Sequence, residues 1–340
     1  MRSDHLLINM RGFIVFILLA GLNSVNSAKC YGVAMEGGGT HGAYEAGAMM
    51  AITEFLPPSE YRYDIITGIS IGAINACPCV GFEMGDERAM AEYMKGTWTN
   101  ITGQSMIATE WRGGIFWSLF FRPSIYDNSN ELKYIQKRTG TSIKRNITVA
   151  ATNLNDGIYT KFTQDIGIDL LPTACFASGA WPGVFPSVNI NGQWYGDGAV
   201  TSNLDPYHGV EKCRELGFSD SDIVMDLLFD EPSSGPGPLR VNRTIQVMNR
   251  IRDVYNWNSG YWYISQTYQN FPHVDFRIIL QPSQRLPPFK PGMPMDFEPK
   301  DIKFEIDLGY NDTKALLGLS KEERKMKFLG RHKFDLVHHI

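Results

Sequence analysis

The sequence has no excess of charge of either sign. Thirty-two Lys+Arg stand against 36 Asp+Glu, which excludes the dense basic face of a nucleic-acid binder and a long acidic tail. Charged residues make up 20% of the chain and apolar ones 43%, a balance that excludes intrinsic disorder. Cysteine is scarce, five in 340 residues, so a disulfide-dense miniprotein is excluded. Cys77-Pro78-Cys79 spaces its thiols too closely for a zinc site. Long apolar runs are missing as well: nothing after residue 28 approaches the roughly 18 residues that cross a bilayer, so a soluble or peripheral protein is expected.

The start of the chain reads as a leader. Arg2 and Arg11 precede an uncharged run, residues 12–22, and small residues follow up to Ser27 and Ala28. A basic start, a short apolar stretch and small residues at a cleavage point form a secretory signal. Cleavage is expected after Ser27 or Ala28, leaving one domain over 29–320 and a basic tail over 321–340. Secretion changes how Cys30, Cys77, Cys79, Cys175 and Cys213 read: some pair, and an odd count leaves at least one free. The spacing does not choose the pairs. Asn100, Asn146, Asn242 and Asn311 each open an Asn-x-Thr sequon and are candidate glycosylation sites.

Apolar runs alternate with helical spacings. Residues 31–35 and 63–67 are short apolar runs closed by glycine and read as buried strands. Runs 147–153, 159–163, 188–190, 193–195, 223–229 and 274–280 read likewise, with Asp156-Gly157 and Asn191-Gly192 as hairpin turns. Helical spacing covers 43–56, 87–98, 130–138 and 244–269, and the proline-rich stretch 282–299 reads as a surface loop. The alternation predicts an α/β layered domain with a mainly parallel central sheet flanked by helices.

Two glycine motifs follow the first two strands. Gly37-Gly38-Gly39-Thr40-His41-Gly42 is a loop whose N–H groups are free to point at a ligand. It fits a dinucleotide fingerprint with Asp64 about 20 residues on, or an oxyanion-binding loop. Gly68-Ile69-Ser70-Ile71-Gly72 matches G-x-S-x-G at a strand-to-helix junction, where a nucleophile elbow belongs. A dinucleotide site has no need of the second motif, so the pair favours acyl chemistry on Ser70.

A serine hydroxyl needs a base. In a Ser, Asp, His order the histidine would be His273 or one of His332, His338 and His339. A carboxylate contacting Ser70 directly is the other solution. Its candidates are Asp156, which more naturally forms a hairpin turn, and Asp197, which precedes Gly198.

With these motifs in order, the chain resembles the patatin-like phospholipases. The resemblance rests on the loop Gly37 to Gly42, the serine motif Gly68 to Gly72, and Asp197-Gly198-Ala199 followed by Asn203. It rests also on Ala177-Ser178-Gly179-Ala180-Trp181-Pro182-Gly183-Val184-Phe185-Pro186 before that aspartate, and spans about residues 30–320. It implies a patatin-like α/β fold in which Ser70 is the nucleophile, Asp197 the proton acceptor, and the N–H groups of Gly37, Gly38 and Gly39 the oxyanion hole. It implies cleavage of lipid acyl esters through an acyl-enzyme, with no cofactor or metal. His41 stands where the family usually carries Arg or Lys. A binding or storage protein on the same scaffold, or an acyltransferase, are the alternatives.

The expected partner is a membrane or micellar lipid. Trp111 and the run Ile115-Phe116-Trp117-Ser118-Leu119-Phe120-Phe121 read either as core or lid, or as a segment entering a membrane interface. Aromatic residues over 255–268 recur at helical spacing and read as core. From Lys314 onward seven Lys+Arg face three acidic residues, the pattern of a solvated helix or of contact with anionic lipid.

Overall fold

The computed structural model describes residues 29–230, 242–244, 246, 247, 250, 251, 254, 262, 265–287 and 297–324. The leader, most of the 244–269 stretch and the tail beyond 324 lie outside the described residues.

The apolar runs become strands. β1 (Cys30–Met35), β2 (Ile65–Ile69), β5 (Asn146–Asn153), β9 (Ile223–Leu228) and β10 (Asp275–Leu280) lie side by side in one parallel set, in the order β10-β9-β1-β2-β5. They are buried almost end to end, which is why they read as continuous rather than alternating apolar runs. β6 (Tyr159–Thr163), β7 (Val188–Ile190) and β8 (Gln193–Asp197) complete the eight-stranded sheet in antiparallel sense. β3 (Thr109–Glu110) and β4 (Tyr126–Asp127) form a separate small pair. The expected 63–67 strand lies two residues further on, because Tyr63 and Asp64 are drawn into side-chain bonds. Tyr63 OH donates to Asp226 and Asp64 accepts the Tyr31 N–H.

Helices cover both faces. On one side are α1 (Gly42–Phe55), α2 (Ile71–Cys79), α3 (Glu87–Thr99), α4 (Gly114–Phe121), α5 (Ser129–Arg138), α6 (Leu171–Ser178) and α8 (Pro299–Leu317); on the other is α7 (Pro206–Glu215). Val33 and Met35 of β1 enter the first core, Cys30 and Ala34 the second, as the period of two requires. α1 is apolar on nearly every side because α8 packs over it. A side chain at Gly47 would meet the carbonyl of Ile306 at 2.0 Å, and one at Gly309 the carbonyl of Tyr44 at 2.0 Å. Only glycines let the two backbones approach this closely.

Cys30 and Cys213 are bridged, Cα to Cα 5.8 Å, tying β1 to α7; Cys77, Cys79 and Cys175 are free and buried. The sequons divide. Asn100, Asn242 and Asn311 are exposed. Asn146 opens β5 half-buried and donates its Nδ2 to the carbonyl of Asp64 at 2.9 Å, so a glycan there would have to displace that bond. Among the described residues no helix is long and apolar enough to cross a membrane.

Candidate active site

The sheet register brings the two glycine motifs and the aspartate together. β2 runs along one edge of β5 until Ile69 faces Ala150, and on the next residue of β5, Ala151 faces Asp197. β6 takes the opposite edge of β5. The end of β2 and the end of β8 therefore meet head to head on a single edge of one strand. Ser70 follows the first and Asp197 closes the second.

Ser70 joins β2 to α2 with φ 52° and ψ −120°, a conformation that costs a residue with a side chain on the order of 1–3 kcal/mol. Packing leaves no room for anything but the flanking glycines. A Cβ at Gly68 would lie 2.3 Å from the carbonyl oxygen of Gly72, and one at Gly72 2.4 Å from that of Met35. The Ser70 N–H donates to Ser178 Oγ at 2.9 Å, and Ser178 in turn donates to the Ala150 carbonyl at 2.6 Å. Ser178 thus pins the strained turn to β5.

The Ser70 hydroxyl donates to Asp197 Oδ2 at 2.7 Å; Asp197 Oδ1 accepts the Ala199 N–H at 2.8 Å. Asp197 is 1% exposed and no cation is in contact with it among the described residues. Burial pushes its carboxyl up to about 7, against the smaller downward pull of the Ala199 and Ser70 bonds. Gly198 is required because a side chain there would strike the Ala150 carbonyl at 2.4 Å.

The histidines are elsewhere. His41 Nδ1 is 2.9 Å from Glu305, His208 bonds Asp205, and His273 is exposed; His332, His338 and His339 lie outside the described residues. Asp156 caps its own exposed turn by accepting the Ile158 N–H. Asp64 closes off the dinucleotide alternative. It precedes β2, so in a parallel pair it lies at the opposite end of the sheet from the loop that follows β1, where a ribose would be out of reach.

The glycine loop abuts Ser70. A Cβ at Gly37 would lie 2.9 Å from the Ser70 Cβ, and Gly39 has φ 62°. Gly42 opens α1 with no space for a side chain against Ile71 and Asn75. One expected oxyanion donor is already engaged: the Gly37 N–H donates to the Asn203 carbonyl at 3.0 Å, while Asn203 Nδ2 donates to the Gly37 carbonyl at 2.8 Å. That reciprocal pair clamps the loop. Ser178 is legible in the sequence only as part of the segment before Asp197; its role in holding Ser70 appears only once the register is known.

A strained, buried serine thus donates its hydroxyl to a buried carboxylate where β2 and β8 end. The family pattern of the patatin-like phospholipases matches residues 33–207, from β1 through the start of α7. The chain belongs to the patatin-like phospholipase family, and membership points to lipid acyl hydrolysis. Among solved structures, VipD from Legionella pneumophila is similar over 86% of this chain and 67% of its own, at 12% identity and a TM-score of 0.40. No curated protein matches the chain in sequence.

Proposed function

We propose that the protein hydrolyses carboxylic esters of phospholipids or other acyl lipids, with Ser70 as nucleophile and Asp197 as proton acceptor. Asp197 Oδ2 takes the Ser70 proton as Oγ bonds to the ester carbonyl carbon, and the carbonyl electron pair moves to oxygen. We assign the N–H groups of Gly38 and Gly39 to that oxygen; losing one such donor costs about 100- to 1,000-fold in rate. Collapse expels the alcohol, which leaves with the proton held by Asp197. Water then gives its proton to Asp197, attacks the acyl-enzyme, and releases the fatty acid as Ser70 is reprotonated. The chemistry asks nothing of a metal or cofactor.

The observation that supports this most is the 2.7 Å bond from Ser70 Oγ to Asp197 Oδ2 at a strained turn. A small, mostly apolar cavity of about 30 Å³ lies behind α2, lined by Ile71, Met94, Trp98, Ile101, Ile107 and Glu131. The leader pattern, the exposed sequons and the Cys30–Cys213 bridge support synthesis into the secretory pathway, where disulfides persist.

The test is fatty-acid release from phospholipid, galactolipid and acylglycerol vesicles in EDTA, with Ser70→Ala alongside. Release by wild type and none by the variant is expected. No release from any lipid by folded wild-type protein would favour a binding or storage role.

A further inference from the structure

Helix α4 stands out among the described residues. Of its eight residues, only Ser118 is buried. Phe116 is 85% and Phe120 77% exposed, and Trp117, Leu119 and Phe121 are exposed too. The aromatic run is therefore not core. At about 100° per residue these five side chains spread over roughly 200° of the helix circumference. A helix seated in a protein groove presents a stripe of about 100°. An apolar arc twice that wide is solvated well only by a medium that surrounds the helix.

The charges nearby match one such medium. Between Glu110 and Asp127, which sit in the β3–β4 pair at the base of the excursion, the segment carries Arg112 and Arg122 and no Asp or Glu, and both arginines are exposed at the two ends of α4. Arg122 lies over the Trp111 ring at 5.1 Å. Apolar side chains flanked by arginine and tryptophan suit the acyl–headgroup boundary of an anionic bilayer.

The excursion that carries α4 is fastened beside the proposed base. The Ile125 and Tyr126 N–H groups donate to the carbonyls of Gly183 and Val184, both at 2.9 Å. That turn leads back to Ala180, whose carbonyl accepts the Asp197 N–H at 2.8 Å. Trp181, Leu154 and Trp194 are exposed near this turn. Leu154 donates its N–H to the Trp194 carbonyl, and a Cβ at Gly196 would touch both Pro182 and Leu154.

We propose that α4, flanked by Arg112 and Arg122, docks the protein on an anionic lipid bilayer and holds the Ser70–Asp197 corner at its surface. The proposal rests on the lipid-hydrolase reading for its purpose, while the exposed apolar arc stands without it.

Two assays separate the ideas. Sedimentation with vesicles of phosphatidylcholine, alone or with phosphatidylglycerol, reads docking in a Ser70→Ala background, where no lipid is consumed. Turnover of a short, soluble ester reads chemistry. Phe116→Ser with Phe120→Ser, both on exposed positions, should weaken vesicle binding by about tenfold or more and leave soluble-ester turnover unchanged. Arg112→Gln with Arg122→Gln should weaken binding only where phosphatidylglycerol is present. Equal vesicle binding by the double Phe variant would overturn the proposal. So would a concentration-dependent dimer that the Phe variant abolishes without any vesicle binding, which would assign the arc to a second copy of the chain. Vesicle binding that depends on the Phe pair, with no ester turnover by wild type, would uphold docking and overturn the hydrolase reading.

Discussion

Two buried aspartates on one sheet have opposite surroundings. Asp226, on β9, is fully buried and doubly held by Arg277, Nε to Oδ1 at 3.1 Å and Nη2 to Oδ2 at 2.5 Å, with Tyr63 OH also donating at 2.7 Å. Asp197, at the end of β8, is as deeply buried but meets one hydroxyl and one backbone N–H. Burial drives Asp197 up to about 7, whereas the Arg277 guanidinium makes the Asp226 charge part of the fold. A paired buried charge locks structure; an unpaired one stands ready to exchange a proton. The same contrast separates Asp197 from Glu87, whose carboxylate is held by Arg145 at 3.0 Å with both side chains sealed from solvent.

The comparison breaks most visibly at the reactive corner. Ser70→Ala and Asp197→Asn should each lower ester turnover by about 10⁴-fold or more while circular dichroism stays native. Wild-type-like rates in either would remove the Ser–Asp assignment. At the structural pair, Arg277→Met strands the Asp226 charge and should cost about 3–5 kcal/mol in a urea melt, with Arg277→Met/Asp226→Leu recovering most of it. An unshifted midpoint in the single variant would show that Asp226 does not need its cation.

The third expectation concerns pH. Asp197 must be ionised to accept a proton, so kcat/KM should fall below pH 7 and level off above it. Stability runs the other way. A carboxyl raised above its unfolded value of about 3.9 favours the native state at low pH, and that contribution is lost as pH rises through about 7. Asp197→Asn should therefore stabilise the fold at pH 8 by about 1–3 kcal/mol, and an unchanged or lower melting temperature there would contradict it. Glu131 is also pushed to about 7 by burial and feels the Asp197 charge; Glu131→Gln should keep the rate profile, which separates the two carboxyls. The smallest effect is expected at Ser178→Ala. Loss of the Ser70 N–H partner should lower kcat by about tenfold with KM nearly unchanged, and a change in KM alone would place Ser178 in substrate binding instead.

Much of this was legible in the sequence, for physical reasons that differ by element. β5, β6 and β7 were visible because buried or hairpin strands carry short-range signals: apolar runs, Asp156-Gly157 and Asn191-Gly192. The glycines around Ser70 were legible because a strained turn tolerates no other residue. α6, α7 and α8 were not: α6 is only eight residues long, and α8 begins inside a proline-rich stretch that reads as loop. The bond between Ser70 and Asp197 crosses 127 positions, and only the register along β5 brings them together. Gly37 looked like an oxyanion donor because loop glycines look alike; its clamp by Asn203 is a tertiary fact. The Cys30–Cys213 pairing was hidden for the same reason.

The central claim is that Ser70 forms the covalent intermediate with Asp197 as its base. Its most direct test is intact-protein and peptide mass spectrometry after brief exposure to a fluorophosphonate, comparing wild type, Asp197→Asn and Ser70→Ala. One adduct per chain is expected on the peptide holding Ser70, formed far more slowly in Asp197→Asn and absent in Ser70→Ala. An adduct on another residue, or one that forms equally fast without Ser70, would contradict it.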